Sequence, residues 1–202
     1  LIDLRGHGES AEARFTFGIK ERQDVLGAVD WLEGRGYRPG SIGVLGYSLG
    51  AASVIGAAAE EPAIGAIWID SAFADIRPVI EGSWQQESGL PQIFLISTDW
   101  MIRLLFGYNI NTSRPVDEIG SLAPRPIFIA HCQQDHMIPI EHMDQLLAAA
   151  ENTQTWVIQN CDQNTLPAPL GDEKYNHHAI GYPVQPEEYG QKVIQFFDES
   201  LN

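Results

Sequence analysis

Gly46-Tyr47-Ser48-Leu49-Gly50 places one hydroxyl between two glycines, each two residues away. The run Ile42-Gly43-Val44-Leu45-Gly46 before it reads as a short buried strand, and the Ala-rich stretch from Leu49 to about Glu60 reads as a packed helix. A serine on so sharp a strand-to-helix turn is pushed out above the sheet, at the amino end of the helix. Its neighbours two positions either side must then be tiny. The five-residue pattern alone is weak, and the strand–turn–helix setting is what makes Ser48 a candidate nucleophile.

A serine hydroxyl is a poor nucleophile at neutral pH and needs a base, normally a histidine oriented by a carboxylate. The apolar run Pro126 to Ala130 reads as another strand, and His131-Cys132-Gln133-Gln134-Asp135-His136 follows it. Asp135 therefore falls at the same sheet edge as Ser48 and is the favoured acid. Asp70, which ends the run Ala63 to Ile69, is the second candidate. His177 and His178 stand before the last helix, and geometry alone does not choose between them.

The elements that must position these residues alternate. A helix is expected over about 19–34, with Val25, Val29 and Leu32 on one face. Strands are expected at 42–46, 63–69, 126–130 and 155–158. Helices are expected from Leu49 to Glu60, from Pro139 to Ala150 and from Pro186 to Leu201. Leu1-Ile2-Asp3-Leu4 reads as the end of a strand, Arg5 to Ser10 as a tight loop, 71–123 as less regular, and 159–185 as a loop. Such alternation means a mostly parallel sheet with helices on both faces, an α/β fold whose chemistry sits at the carboxyl ends of the strands.

Composition narrows the function. Apolar residues make up 44% of the 202, enough for a real core, and no stretch reaches the roughly 18 apolar residues that span a bilayer. A formal charge of −15 repels polyanions, so a nucleic-acid partner is not expected. Among His131, His136, His142, His177, His178 and the two cysteines no tight metal-ligand spacing occurs, and no metal or other cofactor is expected.

Four segments together resemble the α/β-hydrolase superfamily, and within it bacterial serine hydrolases of the dienelactone-hydrolase, prolyl-oligopeptidase and esterase-like group. Asp3 to Ser10 is similar to the D-x-R-G-H-G-x-S loop after the fourth strand, and Gly46 to Gly50 to the nucleophile elbow. Arg125-Pro126 through His131 to Asp135 and Pro139 is similar to the R-P strand and its H-G-x-x-D loop, with Cys132 in place of the glycine. His178 stands eight residues before Pro186-Glu187-Glu188-Tyr189, the spacing of the family's histidine, which selects it over His177. The stretch from Ile158 to His178 is longer than the family's usual turn.

The resemblance implies a single domain of the α/β-hydrolase fold that begins at the family's fourth strand, lacks the first three, and carries a small helical cap within 71–123. It implies a nucleophile Ser48, an acid Asp135 and a base His178, with the N–H of Leu49 as one oxyanion donor and a second donor in the missing part. Tyr47, Trp84 and Trp100 are the expected substrate contacts; Phe94, Met101, Leu104, Leu105 and Phe106 share the cap and either line an acyl pocket or only pack it. Arg5 and His7 are expected to hold their loop. Cys132 and Cys161 follow adjacent strands of this fold and so come near each other, although ordinary thiols are expected. The function implied is hydrolysis of a small carboxylic ester through an acyl-enzyme. The alternatives are a serine peptidase of the prolyl-oligopeptidase type and a non-catalytic binding protein. No leader or anchor is visible after Leu1, but the chain reads as a fragment, so compartment stays open, with the cytoplasm as the default. Oligomeric state is likewise open.

Overall fold

The computed structural model describes residues 1–91, 93–159, 161 and 178–201. Among these, β1 (Ile42–Tyr47), β2 (Ile64–Asp70), β3 (Ile127–Cys132) and β4 (Thr153–Ile158) form one parallel sheet in the order β1-β2-β3-β4. The helices are α1 (Arg22–Glu33), α2 (Leu49–Glu60), α3 (Ile76–Ser88), α4 (Ile93–Phe106), α5 (Pro115–Ile119), α6 (Glu141–Ala149), α7 (Gly181–Val184) and α8 (Pro186–Leu201).

The period of two along the central strands sorts side chains between two layers. Ile67 and Ile69 of β2 and Ile127 and Ile129 of β3 pack under α1, α2, α5 and α6, against Val29, Ile55, Ile119 and Leu146. The alternate residues Ala66, Trp68, Phe128 and Ala130 face the other way, onto Tyr189 and Phe196 of α8. Trp68 and Phe128 stack with ring centroids 3.8 Å apart, and the edge of Phe196 closes on both. Burying aromatic rings this large is the main favourable contribution on that face. The expected parallel sheet with helices on both faces is the one observed.

Arg125 of the R-P pair has a structural role. Its guanidinium donates to the carbonyl oxygens of Ala58, Glu61, Ile64 and Leu122, at 2.8–3.2 Å. It thereby satisfies an end of α2 that lacks its own donors.

Three expectations are corrected. Leu1–Leu4 forms no strand. The carboxylate of Asp3 accepts the N–H of Glu9, its carbonyl accepts the hydroxyl of Ser10, and Arg5 grips Asp24 at 2.7 Å, so these bonds close a loop. The segment 71–123 is mostly helical, with α3 capped by Asp75, whose side chain accepts the N–H of Arg77. The 159–185 loop contains the short α7, while His177 and residues 162–176 lie outside the described residues. No helix among the described residues is long and apolar enough to cross a membrane.

Candidate active site

Ser48 sits between β1 and α2 with φ +50, a conformation that costs a non-glycine residue energy. Two contacts hold it there. Its N–H donates to the carbonyl of Asp70 at 2.8 Å, and its own carbonyl accepts the N–H of Ala52 at 3.1 Å. A Cβ at Gly46 would lie 2.4 Å from the carbonyl oxygen of Gly50, so this glycine is required. A Cβ at Gly50 would meet nothing described within 4 Å, which corrects the expectation that both flanking positions must be tiny.

Asp135 follows β3 and is almost wholly buried. Its Oδ1 accepts the N–H groups of Met137 at 3.0 Å and Ile138 at 2.9 Å, which fixes the carboxylate plane. Its Oδ2 lies 2.8 Å from Nδ1 of His178. Nε2 of His178 lies 2.6 Å from Oγ of Ser48. An ionised carboxylate can only accept, so Nδ1 carries the proton and Nε2 is free to accept from the serine hydroxyl. Ser48, His178 and Asp135, drawn from three loops up to 130 residues apart, form one hydrogen-bonded line.

Leu49 is the first residue of α2, so its N–H has no acceptor within that helix. Ser48 and Leu49 both line an apolar cleft of about 520 Å³ along β1, walled also by Leu1 to Leu4 and His7. Tyr47 is partly exposed and stacks on Tyr189, and burial pushes its phenol up. Trp84 borders a second groove, of about 620 Å³, with Phe17, Ile76, Val79, Ile80 and Met137. Trp100 stands on the outer side of α4 at 65% exposure, among the exposed Ile93, Ile96 and Leu104. The structure thus brings Ser48, Leu49 and Tyr47 together, sets Trp84 beside the Asp135 loop through Met137, and leaves Trp100 apart from them.

Three features had weaker signals in the sequence. Asp70 is fully buried, and its carboxylate accepts the hydroxyls of Ser71 at 2.8 Å and Tyr189 at 2.7 Å. It does not hold the histidine; Asp135 does. Burial first, partly offset by those two hydroxyls, pushes its pKa up to about 6. His131 is fully buried and donates from Nε2 to the carbonyl of Ile138 at 2.8 Å, clamping the loop that carries Asp135. Burial holds its imidazole below the ordinary value.

The third feature is a correction: Cys132 and Cys161 form a disulfide and are not thiols. Cys132 ends β3 opposite Ile158, the end of β4, and Cys161 comes three residues later, within reach. Of the other residues of the metal alternative, His177 lies outside the described residues, and His178 is engaged by Asp135. His131 is committed to Ile138, and His142 accepts the N–H of Ala74. Among the described residues no group of three or more His, Cys, Asp or Glu is arranged to hold a metal ion.

Positive φ in residues other than glycine clusters here. Beside Ser48, Ser71 has φ 51 next to Asp70, Ala179 has φ 52 next to His178, and Phe17 of the second groove has φ 56. Among the described residues only Asn152, a residue type that tolerates this region, lies elsewhere.

Residues 1–169 match the model of the X-Pro dipeptidyl-peptidase family (S15 family). The uncharacterized protein YqkD of Bacillus subtilis (strain 168) is 24% identical over 201 residues, 98% of this chain; the chain spans 61% of that relative's length. The esterase Pf2001 of Pyrococcus furiosus superposes with a TM-score of 0.68 at 21% identity, over 99% of this chain and 70% of that one. The α/β hydrolase GrgF of a Penicillium species superposes with a TM-score of 0.65 at 13% identity, over 98% of this chain and 78% of that one. These likenesses establish the α/β-hydrolase fold.

Proposed function

The chain belongs to the X-Pro dipeptidyl-peptidase (S15) family, and we propose that it is a serine hydrolase that cleaves a small carboxylic ester through an acyl-enzyme. The observation that carries this reading is His178, which touches Oγ of Ser48 on one side and the Asp135 carboxylate on the other. As Oγ attacks the substrate carbonyl, its proton passes to Nε2 of His178. Asp135 keeps Nδ1 protonated and stabilises the cation that forms. The N–H of Leu49 faces the developing oxyanion, and His178 returns the proton to the leaving alcohol. Water then attacks the acyl-enzyme by the same route in reverse. The chemistry requires no cofactor.

The apolar lining of the groove between Trp84, Ile80 and Met137 supports an uncharged acyl or aryl group as the part bound beside the site. That α3 and α4 follow β2 and precede β3 in the chain supports reading 71–123 as a cap over this site. A second reading, peptide hydrolysis, is favoured by the family match itself. It uses the same proton path and differs only in the leaving amine.

A fluorophosphonate probe on the full-length protein tests the reading. Labelling at Ser48 that disappears in Ser48→Ala and His178→Ala is the expected result. An unlabelled, folded protein would overturn it and leave ligand binding without turnover. Parallel assays with short p-nitrophenyl esters and X-Pro p-nitroanilides decide between ester and peptide.

A further inference from the structure

Asp70 is a carboxyl group that the proton path above does not use, yet it is tied into the site on three sides. It ends β2, the strand between those that carry Ser48 and Asp135, and pairs with Tyr47 on one side and Ala130 on the other. Its carbonyl holds the N–H of Ser48. Its carboxylate holds the hydroxyl of Tyr189, which itself accepts the indole N–H of Trp68 at 2.9 Å. On the third side lies the turn that carries His178. Gly181, three residues after His178, packs so closely that a Cβ there would come 3.4 Å from Oδ2 of Asp70, 3.3 Å from the Tyr189 ring and 2.3 Å from Ile158.

A fully buried carboxylate that, among the described residues, is hydrogen-bonded by hydroxyls and by no cation is expensive to keep. A protein that needed only a spacer would be more stable with an amide or an apolar residue there. What a carboxylate adds is a negative charge. The charged and titratable groups around it, among the described residues, are few. Tyr189 approaches from α8, with Tyr47 behind it. The His178 charge favours the ionised form, and Asp135 opposes it.

We propose that Asp70 is a positioning residue of the active site: with Tyr189 it seats the turn that carries His178, and its ionised carboxylate supplies a second negative charge that stabilises the His178 cation formed during acyl transfer. The inference rests on the serine-hydrolase reading for its catalytic meaning. Asp70 exchanges no proton with substrate; the proton still moves from Ser48 to Nε2 of His178, and Asp135 remains the direct partner. Because the Asp70 carboxyl is pushed up to about 6, its charge is lost at mildly acidic pH, and the support weakens there.

Two variants test this. Asp70→Asn keeps the shape and removes the charge. The imidazole pKa of His178, followed by NMR, should fall by about 0.5–1 unit, and the acid limb of kcat should move down with it. The plateau of kcat should drop roughly 3- to 10-fold with KM little changed. Tyr189→Phe removes a donor from the ionised carboxylate, so Asp70 ionises at higher pH and kcat should fall away at higher pH than in the parent. Opposite displacements of the two kcat profiles are the expected signature. A folded Asp70→Asn protein with an unmoved His178 titration and an unmoved limb would overturn the proposal. If that variant does not fold, an unmoved limb in Tyr189→Phe does the same. Absence of any turnover would sink the hydrolase reading alone, because the NMR titration reads the Asp70–His178 coupling without substrate.

Discussion

Asp70 and Ser48 are joined backbone to backbone: the N–H of Ser48 donates to the carbonyl of Asp70 at 2.8 Å, one step beyond the register in which Tyr47 pairs with Asp70. The nucleophile turn is thus an extension of the β1–β2 ladder. Its strained φ is held by a strand that is buried on both faces, and not by the loop itself. A rigid scaffold under a reactive side chain reduces the reorganisation needed when the reaction begins.

Asp135→Asn should leave KM nearly unchanged and lower kcat about 10³- to 10⁴-fold, as loss of the orienting carboxylate does in other serine hydrolases. An amide can offer its NH₂ to Nδ1, which favours the wrong imidazole tautomer and leaves Nε2 protonated against Oγ of Ser48. Steady-state kinetics on p-nitrophenyl esters reads this directly. A loss under tenfold would remove Asp135 from the role assigned to it.

The two glycines of the elbow should behave oppositely. Gly46→Ala forces a Cβ within 2.4 Å of backbone and should lower Tm by many degrees or prevent folding. Gly50→Ala adds a methyl in open space inside α2 and should be neutral or stabilising by up to about 1 kcal/mol. Thermal melts of the two variants separate these outcomes.

Stability should depend on the ionisation of Asp70 with a definite sign. Its folded pKa is raised from 3.8 to about 6, so the folded state holds its proton more tightly than the unfolded chain. The group therefore contributes no penalty below about pH 4, and its penalty grows as pH rises to 6 and is constant above. The shift corresponds to about 3 kcal/mol at most. Urea melts of the parent and Asp70→Asn should show their stability difference moving in favour of Asn between pH 4 and 6. A pH-independent difference would contradict the raised pKa.

The Cys132–Cys161 disulfide closes a separation of 29 residues, for which loop-closure entropy gives about 3–4 kcal/mol of stabilisation. It also ties the loop that carries Asp135 to the root of the segment that leads to His178. The N–H of Cys161, 3.3 Å from Oε1 of Gln134, adds to that tie. A dithiol reductant, or Cys161→Ser, should lower Tm by several degrees and lower kcat. Unchanged melting on verified reduction would show the bridge to be energetically idle.

The candidate site was largely legible because its signals are local. The elbow glycines flank Ser48, Asp135 follows an obvious strand, and His178 stands at a fixed distance before Pro186. The Tyr189–Asp70 bond spans 119 residues and leaves no local pattern, so only the fold reveals it. The nearness of Cys132 and Cys161 followed from the fold, but their bonding did not: spacing along the chain does not report the register of β3 on β4. The helix α4 was illegible on other grounds. Its apolar residues Ile93, Ile96, Trp100 and Leu104 remain exposed while Leu95 is buried, so it has no polar face to mark the helical period. Leu1–Leu4 has strand-like residues, but pairing with a neighbour, and not propensity, makes a strand.

The left-handed residues around the site carry a further consequence. Ser71 and Ala179 hold φ of 51 and 52 without the freedom of glycine, next to Asp70 and His178. Glycine at either position would relieve the strain in the folded chain, yet it would also free the hinges that set a carboxylate and an imidazole within tenths of an ångström of their partners. Stability and turnover therefore pull on these two positions in opposite directions: glycine there would ease the fold and loosen the site.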